Sequence, residues 1–339
     1  MSQYSHLAEV DPEFAPLRSQ FPPIPDVIDA KVLRSMYDSA TVSCAKKSWG
    51  QRLPPDSEYR VDDHQICVND GKITLRCLVP TPQGTESQEY PLLYWMHGGG
   101  CCLGTIESDD YLLRILCVEH QISIVNVDYR LAPEYKFPTG LDDAYAGLKW
   151  AASHTSLLSA SLSQGFIVGG TSAGGNLSAV MTHRARDDPF FSDKKITGQI
   201  LMMPTVLHPD GYPDEYKSEL LSFDQNWDAP LLSRADVRML FGWIGAPNPR
   251  DPNISPLLYP SHKDLPPAYF QVCGLDPLRD EGLLYEKILK EAGVRTRLDI
   301  YPGVPHTFYL FTPDIKQAVK LEKDLNDGIR WLLQGGPGS

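Results

Sequence analysis

Ser172 stands in Gly170-Thr171-Ser172-Ala173-Gly174, a G-x-S-x-G pentad. An apolar, β-prone run, GFIVGG (165–170), precedes it, and a helical run from Ala173 to Arg186 follows. In that setting the pentad is a tight strand-to-helix turn. Small residues on either side allow the sharp bend and leave the serine hydroxyl at its tip. Ser172 also opens a helix, where unpaired N–H groups and the macrodipole favour negative charge. A serine hydroxyl is a weak nucleophile at neutral pH. It needs a base to take its proton, and the base needs an acid to orient it. Nine histidines are available. His306, in GVPHTFYLF, follows the last β-prone run, the place for the base when the order is serine, acid, histidine. The acid should then follow the preceding strand, AYFQVCG (268–274), where CGLDPLRDEG offers Asp276, Asp280 and Glu281. Asp276 comes first off the strand end, where open α/β sheets carry their functional loops. Asp280 and Glu281 read as the first turn of the next helix, where carboxylates complement the dipole.

A second group of residues answers the charge that such a nucleophile creates. MHGGGCCLGT (96–105) places His97 and three glycines directly after the apolar run YPLLYWM. Glycine is costly in a regular element, so three in a row mark either a loose turn or a close approach of backbone to something negative. Acyl transfer builds negative charge on a carbonyl oxygen, and losing one backbone donor to that oxygen costs on the order of 3 kcal/mol. Gly99, Gly100 and Ala173 are therefore the candidate oxyanion donors. His97 is read as structural, fixing the loop by side-chain hydrogen bonds, because a second general base has no task in this scheme. Cys101 is read as small core filling in preference to a residue that enlarges the acyl or alcohol pocket.

The elements around these motifs alternate. Strands are expected at the 92–96 run, at ISIVNVDY (122–129), GFIVGG, ITGQILMMP (196–204), AYFQVCG and TRLDIYP (296–302). Helices are expected at 140–154, 173–186, 281–292 and 315–333, with a helical patch near Asp26 to Ala40. Ahead of them HQICVND and GKITLRCLVP form a hairpin turning at Asn69-Asp70-Gly71. Such alternation implies a mainly parallel sheet covered by helices on both faces. The segment 205–262 breaks the pattern. It contains one amphipathic helix (Val237, Leu240, Phe241, Ile244, with Ser233 as N-cap) and reads as an inserted lid or functional loop.

The composition excludes some classes. The chain has 339 residues and a formal charge of −12, with no basic cluster, which argues against nucleic-acid or anionic-membrane partners. No stretch has the apolar length of a membrane span, and the N-terminus lacks a secretory pattern. The seven cysteines are scattered and form no C-x-x-C, as expected of reduced thiols in a cytoplasmic setting and not of a disulfide framework or zinc site.

HGGG (97–100), DYRLAPE (128–134), GTSAGG (170–175), DPLRDEG (276–282) and His306-x-Phe308 occur collinearly over nearly the whole body of the chain. In this set the sequence resembles the hormone-sensitive-lipase family (family IV) of α/β-hydrolase esterases, in its GTSAGG-type subgroup. The resemblance implies an eight-stranded, mostly parallel sheet with flanking helices and a helical cap. The cap would comprise residues 1–50 and 205–262, and the catalytic domain 51–204 and 263–334. It implies Ser172, Asp276 and His306 as a triad and Gly99, Gly100 and Ala173 as the oxyanion hole. No cofactor or metal is implied; the expected substrate is a small-molecule carboxylic ester, and a homodimer is an expected assembly. The same machinery could serve a lactone, a thioester or a natural-product intermediate. Receptors of this fold that bind without turnover lack the histidine, which is present here as His306. Thr171 stands where many relatives carry Asp, and Cys101 and Cys102 where bulkier apolar residues are common. DYRLAPE reads as an ion-paired turn packing under the site.

Overall fold

A computed structural model describes residues 3–25, 28–84 and 87–337. Eight strands form one sheet: β1 (Tyr59–Val68), β2 (Gly71–Pro80), β3 (Leu92–Met96), β4 (Ser123–Asp128), β5 (Phe166–Thr171), β6 (Gly198–Met202), β7 (Ala268–Cys273) and β8 (Thr296–Tyr301). Their order is β1-β2-β4-β3-β5-β6-β7-β8. The β1–β2 hairpin turns at Asn69-Asp70, with Asp70 at φ 55°, and β2 runs antiparallel to β4. From β4 to β8 all pairings are parallel.

The helices are α1 (Ala30–Trp49), α2 (Asp110–Glu119), α3 (Thr139–Ser153), α4 (Ala173–Asp187), α5 (Ser222–Gln225), α6 (Arg234–Ile244), α7 (Arg279–Glu291), α8 (Phe308–Phe311) and α9 (Lys316–Leu333). Strand β3 shows why both faces need cover. Leu93 and Trp95 join a core with α2 and α9, whereas Leu92, Tyr94 and Met96 join one with α3 and α4. Alternate side chains of a strand point to opposite faces, so a wholly apolar strand must be sandwiched.

Three local differences separate the structure from the sequence reading. The N-terminal helix starts at Ala30, where Asp29 caps it by accepting from the backbone N–H groups of Lys31 and Val32, and it continues to Trp49. Of the helical patch expected from Asp26, residues 26 and 27 lie outside the described residues. Helix α2, in the β3–β4 connection, was not among the expected elements; its run Asp110–Glu119 is short, with Tyr111, Arg114 and Val118 marking its less buried face at helical spacing. Finally, segment 205–262 contains two helices, α5 and α6, and no strand among the described residues. Helix α6 opens with a capping box in which Ser233 and Asp236 satisfy each other's backbone N–H groups, worth about 1 kcal/mol.

A separate apolar cluster joins α1 (Leu33), the loop after β3 (Cys102, Leu103), segment 205–262 (Phe223, Leu232, Val237, Phe241, Ile244, Ile254) and Leu278. It lies beside the ends of β3, β5 and β7, where the candidate residues gather.

Candidate active site

The pentad forms the bend its composition predicts. Ser172 ends β5 and precedes α4 at φ 59° and ψ −114°, a conformation unfavourable for a residue with a Cβ, by about 1–3 kcal/mol. Its neighbours enforce the bend. The Ser172 N–H donates to Met202 O at 2.8 Å, and Asn176 N–H donates to Ser172 O at 3.0 Å. The turn is also pressed against the end of β3: a Cβ on Gly170 would lie 2.3 Å from Met96 O, and one on Gly174 1.9 Å from the same atom. Glycine is the only residue that fits at either position.

His306 and Asp276 meet directly. The imidazole Nδ1–H donates to Asp276 Oδ2 at 2.6 Å, with both residues buried. Asp276 Oδ1 accepts from Leu278 N at 2.8 Å, so the carboxylate is held from both sides. This contact leaves Nε2 of His306 as the basic nitrogen. Thr307 N–H donates to Met203 Sδ at 3.3 Å. The Ser172 N–H and the N–H of His306's neighbour thus both reach consecutive residues at the end of β6, while among the described residues no hydrogen bond joins the Ser172 hydroxyl to the imidazole.

Asp280 and Glu281 do more than complement a helix dipole. Asp280 pairs with buried Arg279 and accepts from the N–H groups of Leu221 and Ser222. Glu281 accepts from Val206 N, Leu207 N and the Tyr212 hydroxyl, and burial pushes its pKa up to about 8. Both acids thus tie segment 205–262 to the start of α7. Asn226 completes the attachment, donating from Nδ2 to Gly274 O and Asp276 O. Sequence reasoning missed Asn226, Asn176 and Met203. Asn176 reaches Thr205 O and Ile254 O through Nδ2, and like Asn226 and Met203 it acts across dozens of residues without a local pattern.

The glycine loop turns sharply after β3. Gly99, Gly100 and Gly104 have φ of 104°, 61° and 90°, and Cys101 has φ 54°. His97 Nδ1–H donates to Gly98 O at 2.7 Å, its ring stacks on Tyr129 at 4.4 Å, and the Tyr129 hydroxyl donates to His97 O at 2.8 Å. Among the described residues the backbone N–H groups of Gly99, Gly100 and Ala173 have no hydrogen-bond partner. Gly100, Ser172 and Ala173 border one small cavity of about 40 Å³, whose other walls include Cys101, Leu240, Phe241 and Ile244. Gly99 stands one residue behind it. Burial pushes the Cys101 thiol up to about 12, so it meets the cavity as a neutral, apolar surface.

The DYRLAPE turn lies beside this loop. Arg130 makes a two-pronged pair with Asp143 at 2.7 Å, and Glu134 pairs with Arg34 at 2.8 Å. Both ion pairs brace the backbone around 130–134.

Residues 93–310 match the model of a family described by its alpha/beta hydrolase fold. A crystal structure of vibralactone cyclase superposes with a TM-score of 0.94 at 43% identity, covering 98% of this chain and 97% of that one. An AB hydrolase superfamily protein of Schizosaccharomyces pombe is 37% identical over 96% of this chain and 94% of its own length. The versiconal hemiacetal acetate esterase of Dothistroma septosporum is 34% identical over 73% of this chain and 75% of its own. Sheet order, strand-to-helix serine turn and these likenesses agree, and the chain belongs to the hormone-sensitive-lipase-like (family IV) esterases of the α/β-hydrolase superfamily, as a carboxylic ester hydrolase.

Proposed function

We propose that this esterase works by two-step acyl transfer at Ser172. His306 Nε2 takes the hydroxyl proton as Oγ attacks the ester carbonyl. Asp276 holds the imidazole in the tautomer that leaves Nε2 free, and stabilises the imidazolium that forms. The oxyanion is received by the N–H groups of Gly99, Gly100 and Ala173. His306 then gives its proton to the leaving alkoxide as the C–O bond breaks, and water repeats the sequence on the acyl-enzyme. The observation that carries this reading is the set of three unpartnered N–H groups beside Ser172. Gly99 and Gly100 are part-exposed, so an incoming oxygen can reach their N–H groups.

Residues 1–50 and 205–262 act in this reading as the cap over a catalytic domain of 51–204 and 263–334. The cavity at Ser172, about 40 Å³ and mostly apolar, supports a short acyl group. Typical ligand pockets are roughly 300 Å³ or more, so larger esters require α6 to give way.

A second reading has one observation in its favour, the 43% identity to a cyclase named for a lactone. There a hydroxyl of the same molecule, in place of water, accepts the acyl group. Its O–C bond forms as the bond to Ser172 Oγ breaks, and its proton passes through His306 Nε2 to Ser172 Oγ.

A fluorophosphonate probe tests the core of the proposal without knowledge of the substrate. Peptide mass spectrometry should find it on Ser172, and Ser172→Ala should abolish labelling and lower kcat by about 10⁴-fold or more. Absence of label on folded wild-type protein would overturn the proposal. Turnover in ¹⁸O-water separates the two readings: hydrolysis places ¹⁸O in the acid product, and internal transfer places none.

A further inference from the structure

Two side chains of α1, one turn apart and more than sixty positions before the residues they contact, hold the glycine loop. Arg34 Nε donates to Cys102 O at 2.7 Å, and its Nη2 donates to Ala132 O at 2.8 Å. Glu134 grips the outer edge of the same guanidinium through both carboxylate oxygens. Four residues on, Asp38 Oδ1 accepts the Gly104 N–H at 2.9 Å.

The loop needs such support. Four of its residues, Gly99, Gly100, Cys101 and Gly104, sit at positive φ, and Cys101 carries a Cβ that makes this unfavourable. Its internal bonds are few: Gly99 O accepts from Cys102 N and Leu103 N. A loop whose working N–H groups must stay unpaired cannot hold itself with them. The bonds that hold it have to come from outside, on carbonyls and N–H groups beyond Gly100. The Ala132 N–H takes one of them, Cys101 O, at 2.9 Å; Arg34 and Asp38 take two more, and neither borders the cavity at Ser172.

We infer that Arg34 and Asp38 are positioning residues for the oxyanion hole, fixing the loop from Cys102 to Gly104 so that the N–H groups of Gly99 and Gly100 stay aimed at the substrate oxygen. This rests on the reading of those two glycines as oxyanion donors. Helix α1 is then part of how the rate is set, and not only a cover for the site.

Asp38 is half-buried, and burial raises its carboxyl pKa above the ordinary value against the opposing pull of the Gly104 N–H. An amide oxygen can therefore replace the carboxylate as acceptor. The test compares Asp38→Ala, Asp38→Asn, Arg34→Lys and, as a control on the solvent face of α1, Met36→Ala; Met36 is 60% exposed. Each is measured for kcat and KM on p-nitrophenyl acetate, for the rate of fluorophosphonate labelling, and for Tm. Misplacement by about 1 Å can cost on the order of 10²-fold, so Asp38→Ala should lower kcat and the labelling rate by roughly tenfold to a hundredfold. KM should stay within about twofold, since the hole acts on the transition state. Asp38→Asn should recover most of the loss. Arg34→Lys keeps the charge opposite Glu134 but loses the fork, and should lower kcat more than it lowers Tm. It gives a reading even if Asp38→Ala fails to fold. Met36→Ala should match wild type. Equal losses in Asp38→Ala and Asp38→Asn, a loss carried by KM, or unchanged kcat in folded Asp38→Ala and Arg34→Lys would each overturn the inference. In all of these, wild-type label on Ser172 leaves the acyl-transfer reading standing; its absence removes both.

Discussion

Residues 205–226 and helix α6 belong to the same inserted segment and both bury apolar side chains, yet they differ in how densely polar bonds tie them to the start of α7. The first half is sewn down by polar bonds: Val206 and Leu207 to Glu281, Leu221 and Ser222 to Asp280, the Ser222 hydroxyl to Pro277 O, and Asn226 to Gly274 and Asp276. Helix α6 rests on apolar contacts, with Leu240 over Gly100 and with Val237, Phe241 and Ile244 in the cluster shared with Cys102 and Leu278. Hydrogen bonds fix distance and direction, whereas apolar packing tolerates rearrangement so long as volume is kept. The sewn half therefore suits the task of holding the Asp276 loop still. The seated half suits the task of shaping the cavity around a particular acyl group.

The sharpest test of this contrast strikes the sewn half. Asp280→Ala would strip a carboxylate from buried Arg279 and an acceptor from two N–H groups, and should cost about 3–5 kcal/mol in denaturant unfolding. Asn226→Ala removes one of two donors from each of two buried carbonyls, Gly274 O keeping Arg279 Nη1 and Asp276 O keeping the Arg279 N–H. It should cost about 1 kcal/mol and also lower kcat, because one of those carbonyls belongs to Asp276. In the seated half, Leu240→Ala should cost about 1 kcal/mol or less, since this side chain is only half-buried. Its larger effect should be on choice of ester: across a p-nitrophenyl chain-length series, kcat/KM for longer acyl groups relative to acetate should rise by about tenfold. Equal stability losses in the two halves, or an unmoved chain-length profile, would break the contrast.

The smallest effect is on pH dependence. Glu281 keeps its proton in the folded protein up to about pH 8, while an ordinary glutamate gives it up near 4.5. Between those values the folded state binds more protons than the unfolded chain, so this group's contribution to stability falls as pH rises through that window. Glu281→Gln removes the titration and keeps an acceptor for Val206 and Leu207. The slope of Tm against pH between about 5 and 8 should flatten.

Much of the site was legible because its residues obey local rules. A pentad between strand and helix, glycines after an apolar strand, and an acid and a histidine just past consecutive strand ends are patterns of sequence, and the sheet topology follows from the same alternation. Choosing Asp276 over its two acidic neighbours needed only its place at the strand end, and the structure puts it 2.6 Å from His306. What was illegible is fastened over long range. Arg34 and Asp38 act on a loop more than sixty residues away, and Asn226 on one about fifty away. Asp280 and Glu281 were readable as helix-opening acids, but their bonds to segment 205–262 depend on how that segment folds back. Helix α2 was readable in principle, since Tyr111, Arg114 and Val118 mark its outer face at helical spacing over only ten residues.

The closeness of Gly174 to Met96 has a consequence for how this chain can change over generations. A side chain there would have to occupy the space of a carbonyl oxygen 1.9 Å away, so no intermediate variant exists between glycine and failure. On α6, by contrast, a methyl added at Gly242 would meet nothing within 4 Å. In a randomised library, positions 170 and 174 should return glycine alone, while 242 returns almost anything. Drift is thus tolerated on the outer face of α6 and excluded at the serine turn.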